Sequence, residues 1–340
     1  MHKNLTIKEK ITLALENHKK NNLKIAENYY KDILKISPNH FEANYLLGLL
    51  LLQKENFEGS KKFFQIASKI NPTHADTHNN LGIIFSELSE PEKAIICFKK
   101  TIEIHPKNAN AFNNLGNEYK NIKKFNEAIN SYKQAIEIQP NNIKFYNNLG
   151  LLYDERKKFN KAINCYEKVI KINPNDAQSH NNLGTVFNQI GESQKAINYY
   201  KKAIEIKPSL AEAHSNLGIQ YKQMGELEKA RICFENAVEL KFEHFLYLFY
   251  LSDLDSKILN INLKNKILNI IEKNNYKKKN LAYGYYLLAK CEYKEQNYDE
   301  ELNYLIRGHN YYFDSKKEKF DAEVNYWLNI QPKIQNFIKK

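Results

Sequence analysis

The chain has 340 residues and a net charge of +12, room for two ordinary domains or for one array of repeats. Only Arg156, Arg231 and Arg307 are arginine among its 51 basic residues, and the lysine excess comes with abundant Asn and Ile. That balance fits an AT-rich coding sequence better than a nucleic-acid surface, where the guanidinium fork is favoured.

The opening MHKNLTIKEKITLALENHKK lacks the apolar run and small-residue cleavage site of a secretion signal. The apolar blocks YLLGLLLL from Tyr45 and FLYLFYL from Phe245 fall far short of the ~20 residues a membrane-spanning helix needs. A soluble, cytoplasmic protein is expected.

After a tail over 1–6, a period of 34 residues begins at Ile7. Gly48, Gly82, Gly116, Gly150, Gly184 and Gly218 share one phase, and Pro38, Pro72, Pro106, Pro140, Pro174 and Pro208 share another. The period predicts seven units: 7–40, 41–74, 75–108, 109–142, 143–176, 177–210 and 211–244.

In each unit the apolar spacing is helical and changes phase once. The first helix carries a leucine before the glycine (Leu81, Leu115, Leu149, Leu183, Leu217) and an aromatic three residues after it (Phe85, Tyr119, Tyr153, Phe187, Tyr221). The bare glycine lets a partner helix approach. The second helix sets a small residue (Ala26, Ala94, Ala128, Ala162, Ala196, Ala230) four before an aromatic (Tyr30, Phe98, Tyr132, Tyr166, Tyr200, Phe234). Proline then stops it. One hairpin cannot bury such a stripe alone, whereas stacked hairpins can.

This set of phases resembles the tetratricopeptide repeat (TPR) family, and the resemblance implies an all-α, right-handed superhelical solenoid of helix-turn-helix units with extra C-terminal helices. Some units depart from the pattern. Ala14 and Asn17 replace the glycine and aromatic of the first unit, and Ser60 replaces the alanine of the second. Phe242 replaces the proline of the seventh, so its second helix is expected to run on without a sharp stop.

Cys97, Cys165 and Cys233 are 68 residues apart, too distant across stacked helices for a disulfide, and Cys291 stands alone. His78, His180 and His214 share the fourth position of their units and are read as packing residues, not metal ligands. No cofactor or metal is expected.

Counting each unit from residues such as Ala75 and Ala109, positions 2, 5, 6, 9, 12 and 13 of the first helix lie opposite the core. The family resemblance makes these the concave surface. Asn80, Asn114, Asn148, Asn182 and Asn216 recur there, flanked by Asn79, Asn113, Asn147 and Asn181, with Ser215 closing that column. Each amide offers two donors and an acceptor, so such a ladder can pair with the backbone of an extended peptide. It resembles the asparagine-lined arrays of O-linked N-acetylglucosamine transferases. A bland alternative is that these amides only steady neighbouring helices. The remaining groove charges are Glu42, Asp76, Glu87, Asp154, Glu155 and Glu212 against Lys120, Lys144 and Lys222. That is neither a nucleic-acid track nor a cluster of cations for carboxylates.

From Phe245 the period is lost. A helical connector is expected over 245–281, including a lysine turn, then a degenerate hairpin over 282–315 and a last helix over 316–340 with Trp327. In the hairpin Leu288-Ala289 stand for Leu-Gly, and Glu301 takes the small-residue site. The tail resembles the junction in bacterial proteins that join TPR arrays to a sulfotransferase domain, but no phosphate-cradling loop follows. The expected function is a non-enzymatic scaffold that binds a protein or peptide partner, with neither membrane nor nucleic acid involved. The other reading is the substrate-presenting part of a sulfotransferase or glycosyltransferase whose catalytic partner is absent or on another chain.

Overall fold

The computed structural model describes residues 5–273 and 276–316, which include no strand. The expected helix over 316–340, with Trp327, lies outside the described residues beyond Lys316. The chain divides into two compact units, Met1–Pro174 and Asn175–Lys340.

The first unit holds ten helices: α1 (Ile7–Lys19), α2 (Leu23–Ile36), α3 (Phe41–Gln53), α4 (Phe57–Ile70), α5 (Ala75–Glu87), α6 (Pro91–Ile104), α7 (Ala109–Asn121), α8 (Phe125–Ile138), α9 (Ile143–Glu155) and α10 (Phe159–Ile172). Each helix packs on its neighbours in chain order. A capping box opens α1, the Thr6 side chain and Glu9 exchanging hydrogen bonds with each other's backbone N–H. His40, His74, Asn108 and Asn142 accept from backbone N–H groups at the starts of α3, α5, α7 and α9.

The glycine phase has a concrete role. A Cβ on Gly82 would lie 2.5 Å from the Phe98 ring, and one on Gly116 would lie 2.6 Å from Tyr132. The ring of the second helix therefore rests on the backbone of the first. Phe98 and Tyr132 are almost wholly enclosed, and each such burial stabilises by about 1.5–3 kcal/mol. Where Ser60 replaces alanine, its hydroxyl donates to the Gly48 carbonyl at 2.7 Å, so the buried polar group is satisfied.

The prolines also act as acceptors. His78 Nε2 donates to the Pro72 carbonyl at 2.9 Å, and Asn44 Nδ2 donates to that of Pro38 at 2.9 Å. In the second unit His214 Nε2 does the same to Pro208 at 2.8 Å. In these three repeats the fourth-position residue ties a helix to the turn before it.

The second unit holds α11 (Ala177–Gln189), α12 (Ser193–Ile206), α13 (Ala211–Gln223), α14 (Leu227–Leu240), α15 (Phe245–Leu254), α16 (Ile261–Lys273), α17 (Lys278–Lys294) and α18 (Tyr298–Lys316), with a 3-10 turn at Ser256–Ile258. Two expectations are corrected here. First, α14 stops at Leu240 without a proline, because α15 packs on α14 and buries Phe245, Leu248 and Leu251. Second, the helical phase outlasts the sequence signature. Phe245 opens α15 one period after Ala211, and the small Ser252 falls on the glycine phase. α17 then packs on α15, and one core joins Phe245, Leu248, Ile267, Leu287 and Leu288.

Candidate functional site

The asparagine positions fall into two classes. Asn80, Asn114, Asn148, Asn182 and Asn216 are partly exposed on the outer face of their first helices. Their neighbours go inward. Asn113 is 1 % exposed and Asn181 0 %, while Asn79 and Asn147 are part-buried. The expectation of a second open amide column is therefore corrected at Asn113 and Asn181, which packing against the following repeat encloses.

The two classes are bonded to each other across repeats. Asn148 Nδ2 donates to Asn113 Oδ1 at 2.8 Å, 35 residues back, and Asn216 Nδ2 donates to Asn181 Oδ1 at 3.0 Å. Asn80 makes the matching contact with Tyr45, which occupies the fifth position one repeat earlier. Burial and Asp76 raise the Tyr45 pKa, and the Asn80 hydrogen bond opposes them. In Asn148 and Asn216 the bridge consumes an N–H and leaves the carbonyl oxygen without a partner among the described residues. Each such rung is held in one orientation with an acceptor to spare.

Lys120, Glu155 and Lys222 of this face are ion-paired. Lys120 lies 3.7 Å from Glu155, and Lys222 lies 2.8 Å from Asp253. Lys290 also contacts Asp253. Burial alone would raise the Asp253 carboxyl, but the two lysines outweigh it and hold its pKa low. Glu42, Asp76, Glu87, Glu212 and Lys144 are exposed, as is Glu155, while Asp154 is part-buried.

The second unit contains a cavity of about 630 Å3 beside Asn216. Ser215, Asn216 and Glu212 of α13 form one side. Lys241 and His244 follow α14, Tyr247 stands on α15, and Lys277, Lys279 and Tyr283 come from the start of α17. His244 stacks on Tyr247 with ring centroids 4.1 Å apart. Burial, then Lys241 and Lys279, holds the His244 pKa below its usual value. Burial, with Glu212 adding to it, pushes Tyr247 up to about 12. The sequence signal for this place was the lysine turn, which no repeat position accounts for.

His78 and His214 are engaged with proline carbonyls, as packing residues would be. No cluster of three or more His, Cys, Asp or Glu side chains suited to a metal exists among the described residues. No helix among them is long and apolar enough to cross a membrane.

Family models match several stretches of the chain. Models described as TPR repeat match residues 116–155 and 185–225. Models described as tetratricopeptide repeat match residues 12–75, 75–108, 97–130, 143–176, 165–198 and 211–244. No curated protein sequence matches the chain. Among solved structures, the C-terminal part of a TPR repeat-containing protein from Cytophaga hutchinsonii is similar at 19% identity and TM-score 0.59, over 71% of this chain and 99% of that one. A tetratricopeptide repeat protein from Parabacteroides merdae is similar at 16% identity and TM-score 0.58, over 73% of this chain and 98% of that one. Pseudomonas aeruginosa pilF is similar at 24% identity and TM-score 0.53, over 63% of this chain and 97% of that one. These likenesses concern the fold. With family models covering successive repeats from residue 12 to residue 244, the chain belongs to the tetratricopeptide repeat family.

Proposed function

We propose that the protein is a scaffold that binds an extended peptide of a partner protein along the amide-lined face of its first helices. The observation that carries this reading is the bridge from Asn148 to Asn113 and from Asn216 to Asn181. A side chain held in one rotamer loses little entropy on binding, and its free carbonyl oxygen suits the backbone N–H of a peptide. Rungs one repeat apart would contact peptide backbone independently of its side chains, which suits a scaffold for sequence-tolerant capture.

The test replaces Asn114, Asn148 and Asn182 by alanine and measures recovery of partners from a lysate by quantitative mass spectrometry. Circular dichroism checks the fold in parallel. Recovery should fall several-fold with the helical signal retained. Undiminished recovery would remove the amide face from the binding surface.

A further inference from the structure

The cavity beside Asn216 carries more than the ladder reading requires. Its lining includes three lysines, Lys241, Lys277 and Lys279, against one acid, Glu212. All three are exposed, and none ion-pairs with another described residue. Neighbouring cations differ. Lys222 and Lys290 share Asp253, and Lys278 pairs with Asp314 at 2.9 Å. The nearby carboxylate of Glu243 accepts from the Tyr276 hydroxyl at 2.6 Å and pairs with no lysine among the described residues. Unbalanced positive charge is therefore concentrated at one mouth.

Helix stability does not explain this arrangement. Acids are favoured in a first turn, yet α17 has none there and begins with Lys277, Lys278 and Lys279. Of these three only Lys278 is ion-paired among the described residues, with Asp314, and Lys277 and Lys279 line the cavity. The walls supply the rest of a side-chain seat: Leu240, Leu246, Tyr247 and Tyr283 flank an apolar stem, and Ser215 and Asn216 offer hydrogen bonds.

We propose that this cavity seats an acidic side chain, Asp or Glu, lying within the bound peptide and not at its end, so that the partner segment is acidic where it passes Asn216. The inference rests on the peptide-binding reading above and names the partner's chemistry. The carboxylate sits among Lys241, Lys277 and Lys279 while the backbone on either side pairs with the amides. A nucleic acid would need basic charge repeated along its track, and the exposed partners next to the cavity on α11 and α13 are Gln178 and Glu212.

The test uses two fluorescein-labelled peptides, acetylated and amidated so that neither has a charged terminus. One has a central Glu-Asp pair and the other Gln-Asn at the same place. Fluorescence anisotropy should show the acidic peptide binding about tenfold tighter at low salt, with the margin shrinking as salt rises. In the triple variant Lys241→Gln, Lys277→Gln, Lys279→Gln the margin should vanish while the neutral peptide binds as before. Equal binding of both peptides to the wild-type protein overturns the proposal, and so does a margin that survives the triple substitution. Oligothymidine binding more tightly than the acidic peptide would assign the lysines to nucleic acid and overturn it too. The substitution Asn182→Ala, on the amide face but outside the cavity lining, separates the two readings. It should weaken both peptides alike. An acidic preference that persists without that weakening sinks the amide face and leaves the cavity standing.

Discussion

The rung at Asn113 and Asn148 and the face of α15 and α17 occupy the same phase of the repeat but are built differently. In the repeats, Tyr132 rests on the bare backbone of Gly116, and the face above that contact is amide, bridged from one repeat to the next. On α15 and α17 the corresponding positions carry Phe249, Tyr250, Asp253, Tyr283, Tyr286 and Lys290. Here Ala289 stands at the glycine phase. The close ring contacts have moved, to Gly284 beneath Phe245 and to Gly308 beneath Tyr286. Once the ring seat moves, the face no longer has to follow the period, and aromatic and lysine side chains take the place of amides. A repeat array can thus change what it presents without abandoning the helix pair.

Several substitutions would break or sharpen that contrast. The largest effect is expected at the seat itself. Gly116→Val should destabilise by about 3 kcal/mol in urea unfolding, because its Cβ would enter the Tyr132 ring. A cost no greater than that of an exposed substitution would mean the ring seat does not set helix spacing in the repeats.

Thiol chemistry probes burial in the two regions. Burial pushes Cys165 in the repeats up to about 12 and Cys291 on α17 up to about 11, from the usual 9.0. At pH 8 iodoacetamide should therefore label Cys291 about tenfold faster than Cys165, the first ~100-fold and the second ~1000-fold more slowly than in the unfolded chain. Mass spectrometry of labelled peptides reads the order, and a faster Cys165 would reverse the ranking of the two cores. The sign for stability follows from the same shifts. A thiol held protonated by the fold contributes fully below the unfolded value and loses that contribution as pH rises toward the folded one. Stability should therefore decline only above about pH 9.

The bridge between rungs is a smaller term. Asn113→Ala should cost about 1–2 kcal/mol, since it empties a buried position and removes the short 2.8 Å acceptor of the Asn148 amide. The double-mutant cycle with Asn148→Ala should show coupling of about 1 kcal/mol. Tyr283→Phe on α17, which has no matching bridge among the described residues, should change stability by less than about 0.5 kcal/mol. Coupling near zero at Asn113 and Asn148 would reduce the bridge to coincidence of geometry. One further substitution should be a gain. Lys157 holds φ at 54° in the hairpin turn where Gly191 holds 82° one period later and Gly225 78° two periods later, so Lys157→Gly should raise stability by about 0.5–1 kcal/mol in thermal unfolding.

Much of the fold was legible because its signals are local. The spacing of Leu115, Gly116 and Tyr119 along one helix, and of Ala128 and Tyr132 along the next, specifies which faces pack before any coordinate is known. The left-handed turn residues were hidden: Glu55, Ser89, Lys123 and Lys157 take positive φ without being glycine. The stop of α14 at Leu240 was hidden as well, since it depends on α15 and not on a proline.

The amino-acid order by itself determined the helix pairs, their period and the family they belong to, because residues three and four apart meet on one helix whatever surrounds it. Tertiary structure alone decided that Asn113 turns inward while Asn148 keeps a free oxygen, and that Lys241 shares a cavity with Lys277 and Lys279. Those contacts join residues about 35 positions apart, and only the packing of one helix against another sets where such side chains meet.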